Sequence, residues 1–162
     1  MNNNRGSTMF LRGVLVLMAL IALAVGIFAL PAIYTGIPKE YPVTANFLYL
    51  FVAGLYLSVI PFFTALYQAF KLLSYIDKNS AFSASSVKAL KYIKYSAIAN
   101  SALYASSIPF LFQVAELDDA PGLGVIALAF VCMPLVIATF AAVLEKLLQN
   151  AIDIKSENDL TV

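Results

Sequence analysis

The chain has 162 residues, of which 62% are hydrophobic and only 12% are charged, with a formal net charge of +1. Its mean hydropathy is +0.87, whereas a soluble domain has about a quarter of its residues charged. This composition excludes an ordinary soluble domain and indicates a membrane protein.

Four apolar segments account for most of the chain. Each is longer than about 18 residues, which lets a helix cross a hydrocarbon core of about 30 Å. The first is too long for a cleaved signal sequence, and Pro31 stands where a small-residue cleavage site would be needed. We therefore predict an all-α polytopic membrane protein with one domain over residues 1–162, a bundle of four transmembrane helices. The predicted spans cover residues 11–33, 47–73, 93–114 and 123–144.

The distribution of positive charge predicts the orientation in the membrane. Nine of the ten lysine and arginine residues lie in the N-terminal tail, the central loop with its flanks, or the C-terminal tail. Only Lys39 lies in the loops on the other side. Short loops rich in Lys and Arg are retained in the cytoplasm. We therefore expect both termini and the central loop to be cytoplasmic, which agrees with an even number of spans.

The residues that the sequence lacks bear on catalysis. It contains no histidine, which excludes His-based triads and imidazole metal ligands. No charged residue lies in the middle of a predicted span, where such groups mark ion pathways. We therefore expect no enzyme activity, no catalytic residue, no cofactor and no metal site. The acidic residues Glu116, Asp118 and Asp119 lack calcium-loop spacing and predict a solvated turn. Cys132, inside the fourth span, is interpreted as a small buried hydrophobe.

Prolines and polar side chains within the spans leave two interpretations open. Pro61 and Pro134 lie near the middle of spans two and four, where a proline usually kinks a helix. We favour fixed curvature in a packed bundle, and the alternative is a hinge or cavity lined by these prolines with Asn100 and Ser101. For Asn100 we favour an interhelical hydrogen bond over a ligand contact, because a buried amide needs partners. Small residues at every fourth position over 97–105 predict close helix packing.

The central loop carries a further pattern. Ser83 is the expected N-cap of the helix that follows. Within that helix, Lys88, Lys91, Tyr92 and Tyr95 occur at i, i+3, i+4 and i+7 and form one face, which we name the Lys/Tyr stripe. We favour contact of the stripe with anionic lipid headgroups, because the positive-inside rule already accounts for such lysines. Docking of a protein partner is the alternative.

Two motifs resemble a known family, and the resemblance extends over nearly the whole chain. One is the loop motif over 82–90, with Phe82, Ser83, Val87 and Leu90, and the other is the C-terminal tail. With them the chain resembles the domain-of-unknown-function 2975 family (DUF 2975). The resemblance implies a small bacterial membrane protein with four spans and no established activity, often encoded beside a helix-turn-helix regulator of the Cro/CI type. The tail motif consists of Glu157, Asn158, Asp159, Leu160, Thr161 and Val162.

These observations predict a non-enzymatic regulatory or interaction protein, an integral protein of the bacterial inner membrane. Its expected partners are membrane lipids and a cytoplasmic protein, for which the family resemblance suggests a transcriptional regulator. No direct contact with nucleic acid is expected, and a homo-oligomer is left open. The alternative is an immunity-type or pocket protein that binds a lipid or a membrane-active peptide between the kinked helices.

Overall fold

The computed structural model describes the backbone of residues 3–36 and 42–160 and the side chains of residues 6–35 and 46–158. Within these ranges the chain is almost entirely helical and contains no strand, which confirms the all-α prediction. Lys39 lies outside the described residues. The helices are α1 (Asn3–Ala24), a π-helical turn (Val25–Ala29), α2 (Leu30–Gly36), α3 (Pro42–Asp77), α4 (Ala84–Ala105), α5 (Ile108–Leu117) and α6 (Gly122–Leu160).

Three helical segments are long and apolar enough to cross a membrane. They comprise Gly6–Thr35, Asn46–Asp77 and Gly122–Asn158, and they correspond to the first, second and fourth predicted spans. The third predicted span, residues 93–114, is not one continuous helix, because α4 ends at Ala105 and α5 begins at Ile108.

The break between α4 and α5 has a local cause. Pro109 lies in the first turn of α5, where its missing N–H costs nothing, whereas inside a continuous helix its ring would clash with the preceding turn. The hydroxyl of Ser106 donates to the Leu103 carbonyl at 2.6 Å, and that of Ser107 donates to the Tyr104 carbonyl at 2.5 Å. The same two carbonyls accept the Ser106 and Ser107 N–H groups, so the serine hydroxyls add a second hydrogen bond to each carbonyl at the end of α4.

The first span contains a π-helical turn that the sequence analysis did not predict. The Leu30 N–H donates to the carbonyl of Val25, five residues back, and so leaves the Gly26 carbonyl without its α-helical donor. In the π register the donor for Gly26 would be residue 31, but Pro31 has no N–H. The Tyr56 hydroxyl of α3 donates to the Gly26 carbonyl at 3.3 Å instead. A side chain on a neighbouring helix therefore satisfies the backbone group freed by the proline.

The helices pack in a defined succession. α1 packs against α3, α4 lies between α3 and α6, and α5 contacts both α6 and α3. The buried positions of α4 and α6 are mostly small, which lets the two backbones approach closely. Ala97 and Ser101 are buried as the small-residue spacing predicted, whereas Ala105 is exposed. The small buried residues are Ser86, Ala89, Ser96, Ala97 and Ser101 on α4 and Gly124, Ala127, Ala138 and Ala141 on α6.

The end of the molecule that holds the α5–α6 turn has an aromatic core. Phe51 of α3 and Phe110 of α5 are buried, and their ring centroids lie 4.8 Å apart. Leu48 completes this cluster. Because α5 supplies Phe110, the short helix after the break is anchored to α3 through its apolar side chains.

Much of the outer surface is apolar. Phe28 of the π-helical turn and Phe140 of α6 are 74% and 66% exposed, which is typical of side chains that face lipid. Cys132 is exposed on α6, so the prediction that it is buried is wrong. It precedes the buried Pro134 by two positions and lies off the face that packs on α4.

Candidate functional site

The Lys/Tyr stripe lies on the exposed face of α4. All four of its residues, Lys88, Lys91, Tyr92 and Tyr95, are exposed, whereas Ser86 on the opposite face is fully buried. The helix begins as predicted, because the Ser83 side chain accepts a hydrogen bond from the Ser86 N–H at 3.4 Å. Local periodicity was therefore sufficient to place this face.

The central loop leaves α3 through a left-handed residue. Asn79 has a φ of 55°, a conformation that asparagine tolerates better than most residues. The Ser80 N–H donates to the Tyr75 carbonyl at 2.8 Å and the Asn79 N–H to the Ile76 carbonyl at 3.1 Å, which together form a Schellman motif. The Ser86 hydroxyl then donates to the Ser80 carbonyl at 3.4 Å and joins the loop to the start of α4.

Two interhelical ion pairs lie towards the loop-side end of the molecule, the end that carries the α3–α4 loop. The Lys94 ammonium of α4 lies 2.6 Å from the Glu145 carboxylate of α6. The Arg12 guanidinium of α1 lies 2.7 Å from the Asp77 carboxylate at the end of α3 and also donates to Ser74 at 3.2 Å. The sequence analysis counted both cations only as orientation signals. Their partners were missed because they are 51 and 65 positions away in sequence.

An apolar groove of about 310 Å³ opens at the same end, between the last turns of α3 and the middle of α6. Phe82 of the loop and Leu147 of α6 line it and are 67% and 59% exposed. The groove thus combines a loop aromatic with aliphatic side chains from three helices, and we name it the loop-side groove. Its lining residues are Leu72, Ile76, Ala81, Phe82, Leu90, Leu144, Leu147 and Leu148.

The C-terminal tail is helical rather than a separate segment. Helix α6 runs for 39 residues, from Gly122 to Leu160, and we name its part after residue 144 the α6 arm. A hydrogen bond of 2.9 Å from Gln149 to Asp153, four residues apart, supports the helix there. Glu157 and Asn158 of the tail motif lie on exposed turns of the arm. Asp159 and Leu160 belong to the last helical turn, and Thr161 and Val162 lie outside the described residues.

The intramembrane positions singled out from the sequence are brought together only in part. Ser101 is buried and donates to the Val131 carbonyl at 2.8 Å, three residues before Pro134. Asn100 is only 6% exposed, and its side-chain oxygen has no hydrogen-bond partner among the described residues. Pro61 is half-buried on α3. The serine thus has a packing role beside the proline of α6.

A cavity of about 210 Å³ lies between α1, α3, α4 and α6, and none of the four predicted residues lines it. It lies beside the π-helical turn, which supplies Gly26, and near the prolines of α3 and α6, because it also touches Phe62 next to Pro61 and Phe130 four residues before Pro134. Apart from Ser58 and Tyr104, its wall is apolar, so it suits a hydrocarbon chain better than a polar ligand. Its lining consists of Ala22, Val25, Gly26, Leu30, Leu55, Ser58, Val59, Phe62, Tyr104 and Phe130.

The acidic turn between α5 and α6 is exposed. Asp119 has a φ of 48° and caps α5, with the Ala120 N–H donating to the Ala115 carbonyl at 2.9 Å. Glu116 and Asp118 are exposed beside it. Among the described residues, no group of three or more His, Cys, Asp or Glu side chains is arranged to hold a metal ion.

Long apolar helices with small-residue packing and an apolar outer surface define an integral, all-helical membrane protein. The chain belongs to the family described as Protein of unknown function (DUF2975), whose family model matches residues 32–162. The match includes both motifs on which the resemblance rested.

The chain is also similar to a bacterial membrane protein over almost its whole length. It is 55% identical over 159 residues to the uncharacterized membrane protein YoaS of Bacillus subtilis (strain 168), and the alignment covers 98% of this chain and 99% of the relative. No solved structure was found to match the chain.

Proposed function

We propose that the protein is a non-enzymatic interaction protein of the bacterial cytoplasmic membrane whose loop-side end contacts a cytoplasmic partner. The observation that carries this proposal is the α6 arm. A helix of 39 residues is about 58 Å long, whereas a hydrocarbon core is about 30 Å thick. About half of α6 therefore extends beyond the apolar region.

The proposed topology has four spans, with both termini and the central loop in the cytoplasm. α4 and α5 together form the third span, joined at Ser106 and Ser107. The lysine and arginine bias supports this orientation. It is tested by single cysteines at Asp119 and at Asn79 in a Cys132→Ser background, labelled in intact cells with a membrane-impermeant maleimide. Labelling at 119 alone is expected, and labelling at 79 alone would overturn the orientation.

The surface of the α6 arm is suited to a protein contact. Leu147 and Ile154 are 59% and 61% exposed, and charged residues flank them along the helix. An amphipathic helix of this kind presents apolar anchors that a partner can bury. Leu147 also lines the loop-side groove, so arm and groove form one continuous surface. The Lys/Tyr stripe is assigned to lipid headgroups, because snorkelling lysines and interfacial tyrosines need no protein partner.

The family resemblance supports a helix-turn-helix regulator as the partner. A photo-crosslinking amino acid at Leu147 or Ile154 is expected to capture such a protein in cells. The same amino acid at Phe140, which is 66% exposed on the same helix but within the apolar region, is the matched control. Deletion of residues 155–162 is expected to reduce the adduct formed at Leu147. An adduct of equal yield at Phe140 would argue against the arm as the contact.

The cavity between α1, α3, α4 and α6 favours a second candidate function, a pocket protein for a lipid or a membrane-active peptide. Its volume of about 210 Å³ accommodates part of one acyl chain. Ala22→Phe would fill the cavity from α1, whereas Leu20→Phe changes an outward-facing position of the same helix. If this function is correct, only the first substitution should lower retention of a spin-labelled fatty acid by the purified protein.

A further inference from the structure

A third opening, of about 730 Å³, lies between the start of α1 and the end of α3. It is independent of the loop-side groove and of the intramembrane cavity. We name it the α1 groove. Its lining consists of Thr8, Met9, Arg12, Gly13 and Val16 on one face of α1, with Asp77 and Lys78 at the end of α3.

The charges in the α1 groove leave an excess of positive charge. The Asp77 carboxylate is compensated by the Arg12 guanidinium at 2.7 Å. Lys78 is exposed and forms no ion pair within the described part of the chain. The Nε atom of Arg12 is buried and has no hydrogen-bond partner among the described residues. The Lys78 ammonium and the Arg12 guanidinium therefore line an opening at the end of a span.

The polarity of the groove changes along α1. Thr8 and Arg12 lie at the end near Lys78, while Gly13 and Val16 continue towards the middle of the span Gly6–Thr35. From Thr8 to Val16 the helix rises about 12 Å. A phospholipid has the same sequence of a charged headgroup followed by a hydrocarbon chain, over a similar distance.

We propose that the α1 groove binds an anionic phospholipid. Lys78 and Arg12 hold the phosphate, since guanidinium groups suit phosphate geometry and basic pockets at the ends of membrane helices bind anionic headgroups. The acyl chain lies over Gly13 and against Val16. Asp77 keeps Arg12 in place and disfavours a soluble dianion, because an additional carboxylate repels a second negative charge.

Gly13 provides a selective test, because a Cβ atom added there meets nothing within 4 Å. Gly13→Leu therefore projects into the groove without disturbing the packing of α1. Gly6 on the same helix is equally unobstructed and does not line the groove, so Gly6→Leu is the matched control. Lys78→Gln removes the unpaired charge, and Lys146→Gln removes an exposed charge from α6 instead.

The experiment is native mass spectrometry of the full chain, purified in mild detergent and mixed with equimolar phosphatidylglycerol and phosphatidylcholine. The wild type is expected to retain phosphatidylglycerol preferentially. Gly13→Leu should abolish this preference, and Lys78→Gln should weaken it about fivefold, which corresponds to about 1 kcal/mol for one basic side chain near the membrane surface. Gly6→Leu and Lys146→Gln should leave the preference unchanged.

Three outcomes would overturn the proposal. The first is equal retention of the two lipids by the wild type. The second is unchanged phosphatidylglycerol binding in Gly13→Leu, provided that its thermal unfolding matches that of the wild type. The third is displacement of the bound lipid by excess inorganic phosphate, which would identify a site for a soluble anion. Persistence of the lipid in phosphate supports the lipid headgroup as the ligand.

Discussion

Lys94 and Glu145 join α4 to α6 through an ion pair in which Nζ and Oε2 are 2.6 Å apart. Their side chains are only 21% and 19% exposed, and the pair belongs to the most extensive helix–helix interface of the molecule. Lys94 therefore contributes directly to the packing of α4 on α6. The Arg12–Asp77 pair joins α1 to α3 in the same way, with side chains that are 40% and 26% exposed.

Removing one member of the Lys94–Glu145 pair is expected to destabilise the protein more than removing both. Glu145→Leu leaves a partly buried ammonium without its partner, whereas Lys94→Met together with Glu145→Leu leaves an apolar contact. Thermal unfolding in detergent, followed by circular dichroism, should give a lower Tm for the single variant than for the double variant.

The Arg12–Asp77 pair provides the control for this ion-pair prediction. Because it is more exposed, Asp77→Leu should lower the Tm less than Glu145→Leu does. If the decrease in Tm of the double variant equalled the sum of the decreases for Lys94→Met and Glu145→Leu, the prediction would be contradicted, since additivity means that the two side chains do not interact.

Gly54 is expected to tolerate no side chain, because α3 passes the break between α4 and α5 there. A Cβ atom at residue 54 would lie 2.2 Å from the Ser106 hydroxyl and 3.1 Å from the Leu103 carbonyl. Gly54→Ala should therefore lower the free energy of unfolding by about 1–3 kcal/mol, as is usual for overpacking. Unfolding by titration with SDS provides the measurement.

A second substitution distinguishes this clash from a general effect of alanine. Ser106→Ala removes the hydroxyl that the new Cβ would meet and should recover part of the loss caused by Gly54→Ala. Gly26→Ala is the control, because a Cβ atom there meets nothing within 4 Å. If Gly54→Ala were as stable as the wild type, the two helices would be further apart than the structure places them.

The sequence predicted features that follow from helical periodicity and local capping, and it missed both the contacts between distant residues and the break between α4 and α5. The exposed stripe around Lys91 and the N-cap at Ser83 follow from the period of a helix and from local backbone donors, and the structure contains both. Three spans follow from long apolar runs. The α4–α5 break was missed because Ser106 and Ser107 resemble ordinary polar residues of a membrane helix. Here their effect depends on Pro109.

The intramembrane residues show the same limit. The sequence grouped Ser101 with Pro134, whereas in the structure Ser101 donates to the Val131 carbonyl, three residues before Pro134. The residues of the cavity wall could not be identified from the sequence. Gly26 and Tyr104 are 78 positions apart, and neither is unusual in its own segment. Their proximity depends on helix packing, which a single sequence does not encode as a local pattern.

Asn79 is expected to accept glycine but not alanine. Its φ of 55° is unstrained for glycine, whereas for a residue with an ordinary Cβ this left-handed conformation costs about 1 kcal/mol. Asn79→Ala should therefore lower the free energy of unfolding by about that amount, and Asn79→Gly should leave it nearly unchanged. Asp119, with a φ of 48°, should behave alike. Equal loss for alanine and glycine at 79 would point to the asparagine side chain instead of the backbone.

Tyr56 and Pro31 are expected to be energetically coupled through the Gly26 carbonyl. In the wild type the Tyr56 hydroxyl donates to that carbonyl at 3.3 Å, so Tyr56→Phe should lower the free energy of unfolding by about 1 kcal/mol. Pro31→Ala supplies the N–H that donates to the Gly26 carbonyl in the π register, so Tyr56→Phe should then lower the free energy of unfolding by less. The coupling is measured in a double-mutant cycle, by SDS unfolding of the wild type, Tyr56→Phe, Pro31→Ala and the double variant. Tyr67→Phe, at an exposed position, is the control for loss of a hydroxyl. An equal cost of Tyr56→Phe in both backgrounds would show that the hydroxyl does not replace the donor that Pro31 lacks.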